Sequence, residues 1–353
     1  MPRRIGFLWD KVYEERNCIY AEKVMIKNKR RRNRTAEHIK QNPETYGKAL
    51  SRKLKDGTFE FHEYREAIIT DSYKGKKRRL KIPCFEDQAA MQAWLNIAAP
   101  YIERRNYYYN CGSIPGAGQD RAVRALQKWL NTRKPVKYAS VIDIKSFYDT
   151  CEHRLVIRGL YMIFKDRQFV GFAAKMMRAM SSDGVGLAIG YPVSHWFANV
   201  ALMELDYELR RRFPDVKFVR YMDDVALAGN NKRHIRKALT YIDHYLAKSH
   251  MSLKHECQIH KIEDRGINFL SFKFNHHYTL LLKPLMYRMA RKFRRAYKHL
   301  TLRLARGVIS YKGILKYCNS YNFRKERVYP YVRFKKCRKL IARSEVNLCT
   351  SNI

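Results

Sequence analysis

Two acidic positions sit inside apolar runs of a chain otherwise dominated by cations. Asp143 closes Ser140-Val141-Ile142, and Asp223-Asp224 lies between Val219-Arg220-Tyr221 and Val225-Ala226-Leu227. A carboxylate among apolar residues is costly unless something compensates its charge. If a hairpin turn presents Asp223 beside a neighbouring strand carrying Asp143, the cluster offers the hard oxygen ligands that Mg²⁺ prefers. Two such ions about 4 Å apart activate a hydroxyl nucleophile and stabilise a leaving pyrophosphate. Taken singly, the same residues read as a solvated turn and an unrelated buried aspartate.

The elements that must position these carboxylates follow from patterning. Tyr138 to Ile144 reads as a buried strand, followed by a helix over about 153–165. Pro192 opens a long helical run from Ser194 to about Arg212. Strand Val216–Tyr221, a tight Met222-Asp223-Asp224 turn and strand Val225–Ala228 come next, then a helix over 232–249 and a strand pair at about 267–274 and 278–283. Upstream, helices are expected at about 86–105, with Pro100 kinking or ending the first, and at 119–131. Beyond Pro284 the chain reads as a separate basic helical unit carrying Arg288, Arg291, Lys292, Arg294, Arg295 and Lys298. The class is therefore α+β.

Across 353 residues, 72 Lys+Arg stand against 32 Asp+Glu, a net charge of +40 on a chain that is still 46% apolar. Such a surplus on a chain able to build a core points to a polyanionic partner, nucleic acid first, and argues against disorder. Aromatic residues at 13% supply stacking faces as well as core. Two basic runs stand out. Lys27 to Arg34 holds six cations in eight residues and reads as a solvated arm or a phosphate contact, and Lys74 to Lys81, turning at Gly75, reads as a basic hairpin. The eight cysteines form no C-x-x-C pair and no signal peptide opens the chain, so they read as reduced cytosolic thiols. No uncharged apolar run nears the ~18 residues of a membrane span, which excludes an integral membrane protein. His250, His255, Cys257 and His260 offer ligand atoms, but their spacing fits no standard zinc site.

Taken together, the motifs resemble those of reverse transcriptases over roughly residues 60–300. Tyr221-Met222-Asp223-Asp224 is similar to that family's catalytic hairpin, and Asp143-Ile144-Lys145-Ser146-Phe147-Tyr148 to its first catalytic motif, in the expected order and 80 positions apart, 143 to 223. The resemblance implies a right-hand polymerase fold, with fingers, a palm sheet backed by helices and a helical thumb. It implies catalytic Asp143, Asp223 and Asp224, with Ile144 joining them in a set for two Mg²⁺ ions that Mn²⁺ can replace. Tyr148 becomes the steric gate under the sugar, which disfavours an RNA-templated RNA polymerase. Lys77-Arg78-Arg79-Leu80-Lys81-Ile82-Pro83 resembles the fingers strand whose cations meet the triphosphate, so Lys77 and Arg79 join Tyr148, Ile189 and Gly190 as nucleotide contacts. Template and primer contacts are expected at Ser194, Asn199, Tyr221, Met222, Gly266, Asn268, Phe269, Leu270, Arg291, Lys292, Arg294 and Arg295. The lysine that usually follows the hairpin has no clean counterpart: Cys257 takes its place, with Lys254 and Lys261 nearby.

Within the family, Cys111-Gly112-Ser113-Ile114-Pro115-Gly116-Ala117-Gly118 and Ile189-Gly190-x-x-x-Ser194 look most like enzymes of diversity-generating retroelements, which copy a template RNA with frequent errors at adenine. Most reverse transcriptases carry Gln at the place of Ile189. That subfamily generally has Gln after the motif serine, where this chain has His195. Retron and group II intron enzymes are the alternatives, and an inactive RNA-binding homologue is a third. The implied partners are template RNA, a DNA or RNA primer, dNTPs and a small basic accessory protein of the same element, in a cytoplasmic bacterial, phage or prophage setting without a membrane. The expected division is a basic extension over 1–60, fingers over 61–135, the first palm strand at 136–152, a fingers/palm insertion over 153–190, palm over 191–283 and thumb over 284–353.

Overall fold

The computed structural model describes residues 3–27, 34–70 and 77–350, with side chains through Ser344. Most of the Lys27–Arg34 run and the Lys74-Gly75-Lys76 turn lie outside the described residues. Four helices, α1 (Trp9–Tyr13), α2 (Glu15–Ile26), α3 (Arg34–Gln41) and α4 (Pro43–Lys55), precede the antiparallel pair β1 (Arg65–Thr70) and β2 (Lys77–Ile82), which form the legs of the expected basic hairpin. α5 (Phe85–Arg105) runs through Pro100 instead of ending there. An internal proline costs about 3 kcal/mol. α5 nonetheless buries Ala89, Ala90, Met91, Ala93, Trp94, Leu95, Ala98 and Ile102, and at ~25 cal/mol per Å² burial on that scale outweighs one lost hydrogen bond.

Next come α6 (Gly118–Leu130), β3 (Tyr138–Asp143), α7 (Phe147–Thr150), α8 (His153–Ile163), α9 (Arg167–Met180), α10 (Ser194–Ala201) and α11 (Met203–Arg212). The single helix expected from Ser194 to Arg212 is thus two, interrupted at Leu202, whose φ and ψ of −97° and 3° leave the helical region. No Gly or Pro marks that break. β4 (Lys217–Tyr221), β5 (Asp224–Gly229), α12 (Lys232–Ala247), β6 (His260–Lys261) and α13 (Ile262–Arg265) complete the central unit. Its antiparallel sheet has the order β4-β5-β3-β6, with Asp143 opposite Asp224.

Alternation along these strands separates two cores. Phe218, Val225, Leu227 and Ile142 face the packing shared with α5, α8, α9 and α12, whereas Val219, Ala226, Ala228 and Ala139 face that shared with α6 and the C-terminal helices. The second sheet differs from expectation. It is a meander of β7 (Ile267–Phe269), β8 (Phe272–Phe274) and β9 (Thr279–Leu281), because the chain reverses at Leu270-Ser271 with φ of 49° and 70°. Two positive φ values make the tight connection that antiparallel strands favour, but Asn-Gly is its usual signal and Leu-Ser carries none. Helices α14 (Lys283–Lys298), α15 (Leu302–Ile314), α16 (Tyr321–Arg327) and α17 (Phe334–Thr350) form the basic C-terminal unit. Among the described residues no helix is long and apolar enough to cross a membrane.

Candidate active site

The end of β3 and the β4–β5 turn bring the two acidic positions together. Met222 and Asp223 are the turn residues, and Met222 takes a φ of 59°. The Ile144 amide donates to the Asp223 carbonyl at 3.4 Å, so the chain just past Asp143 is tied to the turn. Burial raises the pKa of Asp223, and the nearby Asp143 carboxylate raises it further. Half-buried, mutually repelling oxygens of this kind need a cation. Lys254 supplies one: its Nζ lies 2.5 Å from Asp143 Oδ2, and this ion pair raises the lysine's own pKa.

Lys254, which sequence patterning leaves unassigned, is thus placed at the carboxylate cluster. The Lys254 amide donates to the Asp143 carbonyl at 2.9 Å and the Lys145 amide to the Ser252 carbonyl at 2.9 Å, so segment 252–254 lies antiparallel along the end of β3. Cys257, expected in the lysine's place, instead lines a groove with Leu239 and Asp243 of α12, where burial raises its thiol pKa. Lys261 pairs with Tyr138 at the far end of β3, five residues or about 16 Å from Asp143 at ~3.3 Å per residue.

Around this centre, Tyr148 is half-buried; desolvation raises its hydroxyl pKa, the Asp223 charge raises it further and Arg78 opposes them. Its hydroxyl and Asp223 are therefore near enough to interact. Arg78 of β2 is near enough to Tyr148 to lower its pKa, alternation puts it on the opposite face of β2 from Lys77 and Arg79, and Arg79 lies 4.0 Å from Glu66. Ile189 and Gly190 are zipped to β2: the Lys81 amide donates to the Ile189 carbonyl at 2.9 Å. Gly190 has a φ of 117°, and a Cβ there would lie 2.4 Å from the Lys81 carbonyl oxygen, so only glycine fits.

Four expected nucleic-acid contacts are buried supports instead. Ser194 is 3% exposed and its hydroxyl donates to the Ala188 carbonyl at 2.5 Å. Asn199 is fully buried, with Nδ2 donating to the Gly112 carbonyl at 2.8 Å. Phe269 packs in the core, and Gly266 is buried where a Cβ would meet the Phe274 carbonyl at 2.6 Å. A one-dimensional pattern hides such partners, so polar or motif character alone suggests exposure. Asn268 is exposed, Tyr221, Met222 and Leu270 are partly so, and Gln119 Nε2 donates to the Leu270 carbonyl at 3.0 Å.

The cations of α14 divide between two clefts. Arg291, Lys292 and Arg295 line one of about 610 Å³ with Arg303 and Tyr311; Arg294 lines another of about 810 Å³ with Phe323 and Arg327, which Arg291 and Arg295 also border. Lys292 Nζ sits 4.7 Å from the Tyr311 ring centroid. Elsewhere, His62, Cys84 and Asp87 form a cluster no spacing rule suggests; His62 Nδ1 lies 2.8 Å from Asp87 Oδ1.

A family model described as "Reverse transcriptase (RNA-dependent DNA polymerase)" matches residues 72–274. "Protein YkfC" of Escherichia coli (strain K12) is 26% identical over 173 residues, covering 46% of this chain and 45% of that protein, so the chain spans less than half the length of this curated relative. Among solved structures, a telomerase from Candida albicans in complex with a fragment of telomeric RNA aligns with TM-score 0.50 and 11% identity, covering 77% of this chain and 59% of that one. An apo telomerase from Candida tropicalis aligns with TM-score 0.47 and 12% identity over 62% of this chain and 48% of its own. The first of these likenesses is one of fold.

Proposed function

The chain belongs to the reverse transcriptase family, whose model covers more than half of it, and from that membership we propose that it makes DNA on an RNA template by nucleotidyl transfer. The observation that carries the reading is the convergence of Asp143, Asp223 and Lys254 at the end of β3. The oxygen donors suit hard divalent cations: the Asp143–Asp223 repulsion that raises the Asp223 pKa is relieved when a dication lies between them. Two Mg²⁺ ions there, or Mn²⁺ in their stead, would activate the primer 3′-hydroxyl and neutralise charge on the leaving pyrophosphate. Asp143 and Asp223 are the main ligands, with Ile144 and Asp224 supporting. Lys254 stands beside them where a cation can stabilise and protonate the pyrophosphate. Tyr148 lies under the incoming sugar, and Arg78 meets the phosphates.

In this reading residues 1–60 are a basic extension, 61–135 act as fingers, 153–190 as a fingers/palm insertion, 136–152 and 191–283 as palm, and 284–353 as thumb. The finer proposal is an adenine-error-prone enzyme of a diversity-generating retroelement, acting with a small basic accessory protein. Ile189 supports it: an apolar side chain without hydrogen-bonding capacity stands where a glutamine amide would otherwise face the nucleotide. The test is extension of a DNA primer on defined RNA with purified protein and Mg²⁺, followed by sequencing of the cDNA. Extension with errors concentrated at template adenine is expected; no extension with Mg²⁺, nor with Mn²⁺ in its place, refutes the polymerase, and evenly spread errors refute the subfamily.

A further inference from the structure

Arg220 lies two positions before the Met222-Asp223 turn, is 1% exposed, and finds an acceptor for each of its five N–H groups. Nε donates to Asp206 Oδ1 at 2.9 Å and Nη2 to Asp206 Oδ2 at 2.5 Å, a two-pronged pair with a carboxylate itself 2% exposed on α11. The other Nη2 hydrogen reaches the Asn199 carbonyl at 3.4 Å, across the α10–α11 break. Nη1 donates to Asn199 Oδ1 at 3.3 Å and to the Met222 carbonyl at 3.1 Å. That last acceptor belongs to the peptide joining Met222 to Asp223.

Three further facts bear on the Met222 turn and its surroundings. Met222 holds a positive φ, an unfavourable state for a residue with a side chain, which persists only where surroundings enforce it. Gly112 is pressed against it, since a Cβ there would lie 2.4 Å from the Met222 amide nitrogen. The Gly112 carbonyl is in turn held by Asn199 Nδ2, and the Arg220 main chain bonds the Tyr109 carbonyl at 3.0 Å and the Cys111 amide at 2.8 Å. The Arg220 guanidinium thus links α10, α11 and the turn, while its main chain and Asn199 tie them to the 109–112 segment.

We infer that Arg220, oriented by Asp206 and Asn199, is a positioning residue that fixes the Met222–Asp223 peptide and thereby aims the Asp223 carboxylate at the space it shares with Asp143. Stability alone does not call for this arrangement, because a buried ion pair is often matched or bettered by apolar residues of similar volume. Lysine could pair with Asp206 but, as a single point charge, could not hold Asp206, Asn199 and Met222 at once. Because Asp206 cancels the guanidinium charge, the turn is aimed without a net positive field opposing cation binding at Asp223.

The inference rests on the metal-dependent polymerase reading, and its test separates the two. The Arg220→Met/Asp206→Leu double variant removes the pair without leaving an unpaired charge, and Arg220→Lys keeps the charge but not the fork. Each is compared with wild type for melting temperature, template-primer affinity, Mn²⁺ affinity by electron paramagnetic resonance, and nucleotide addition across a Mg²⁺ titration. The expected result is Mn²⁺ affinity several-fold weaker and addition slowed about tenfold or more, with the melting temperature of the double variant and template-primer affinity retained. Normal Mn²⁺ affinity and normal addition in either variant overturns the inference. Should the double variant fail to fold, Arg220→Lys decides by the same two readouts. A wild type that binds Mn²⁺ yet extends no primer refutes the polymerase, and the Mn²⁺ comparison still judges the positioning; a wild type that binds no Mn²⁺ overturns both.

Discussion

The palm and the thumb use charge in opposite ways. In the palm a few ionised groups are held by named partners at fixed distances: Arg220 on Asp206 at 2.5 Å, Lys254 on Asp143 at 2.5 Å, Asp223 raised in pKa by burial and by Asp143. In the thumb, Arg291, Arg294 and Arg295 stand exposed along one helix and border two open clefts. The buried Arg220–Asp206 pair and the half-buried Asp223 act through geometry, so one misplaced group disables the set. Solvated cations act through summed potential, which salt screens and in which no single member decides. The two regions therefore fail differently, and that is the comparison to break.

The largest effect belongs to the palm. Asp143→Asn and Asp223→Asn keep shape and remove one negative charge each; nucleotide addition is expected to fall by orders of magnitude while RNA binding in a gel-shift assay persists. Near-normal extension by either variant would remove these residues from the reaction. Lys254→Ala comes next. A group that stabilises and protonates a leaving group contributes about 10²–10⁴-fold, so single-turnover addition should drop by about a hundredfold with dNTP affinity less affected. A rate within twofold of wild type would return Lys254 to a role as an ordinary ion-pair partner.

The contrast between the regions also explains what is legible in the sequence. Asp143 and Asp223 are readable because carboxylates inside apolar strands violate local patterning, and the α14 cations because their density is unusual. Lys254 is not, since it sits in an irregular segment and its role arises from backbone pairing with the end of β3, 111 positions away. Ser194 and Asn199 look like nucleic-acid surface in the sequence although both are buried, because a polar residue's hydrogen-bond partner is set by tertiary packing. The Leu270-Ser271 reversal and the break at Leu202 carry no Gly, Pro or Asn through which local chemistry could flag them.

Tyr148 lies between these extremes, in the proposed function a single side chain acting through shape. Tyr148→Ala should open space for a ribose 2′-hydroxyl and reduce discrimination against ribonucleotides about tenfold or more, since about 1.4 kcal/mol corresponds to tenfold. Because the ring also packs against the palm core, the melting temperature should be measured alongside; a destabilised variant with unchanged sugar selectivity would make Tyr148 a packing residue. In the thumb, replacing Arg291, Lys292, Arg294 and Arg295 together by Ala should shallow the dependence of log affinity on log salt by about 0.7–0.9 for each phosphate no longer neutralised. The two clefts sharpen this. If only one meets the duplex, Lys292→Ala and Arg294→Ala will differ in slope, and an unchanged slope for all four would exclude phosphate binding by these residues.

The smallest expected effect concerns Ile189, where the palm's dependence on geometry meets specificity. Its carbonyl is fixed by the Lys81 amide at 2.9 Å, and Gly190 beside it tolerates no side chain, so the backbone cannot retreat from the fingers strand. The half-buried Ile189 side chain can therefore contribute shape to the nucleotide space but no directed hydrogen bond. Discrimination between right and wrong base pairs is a difference of transition-state energies, and one hydrogen bond worth about 1 kcal/mol shifts it several-fold. Ile189→Gln, exposing an amide from the same fixed backbone, should lower misincorporation opposite template adenine more than opposite the other bases. Because the proposed mechanism rests addition itself on Asp143, Asp223 and Lys254, its rate should change little. Sequencing cDNA made by both proteins on one template measures this directly, and equal adenine error rates in two comparably active enzymes would leave Ile189 as a packing residue beside β2.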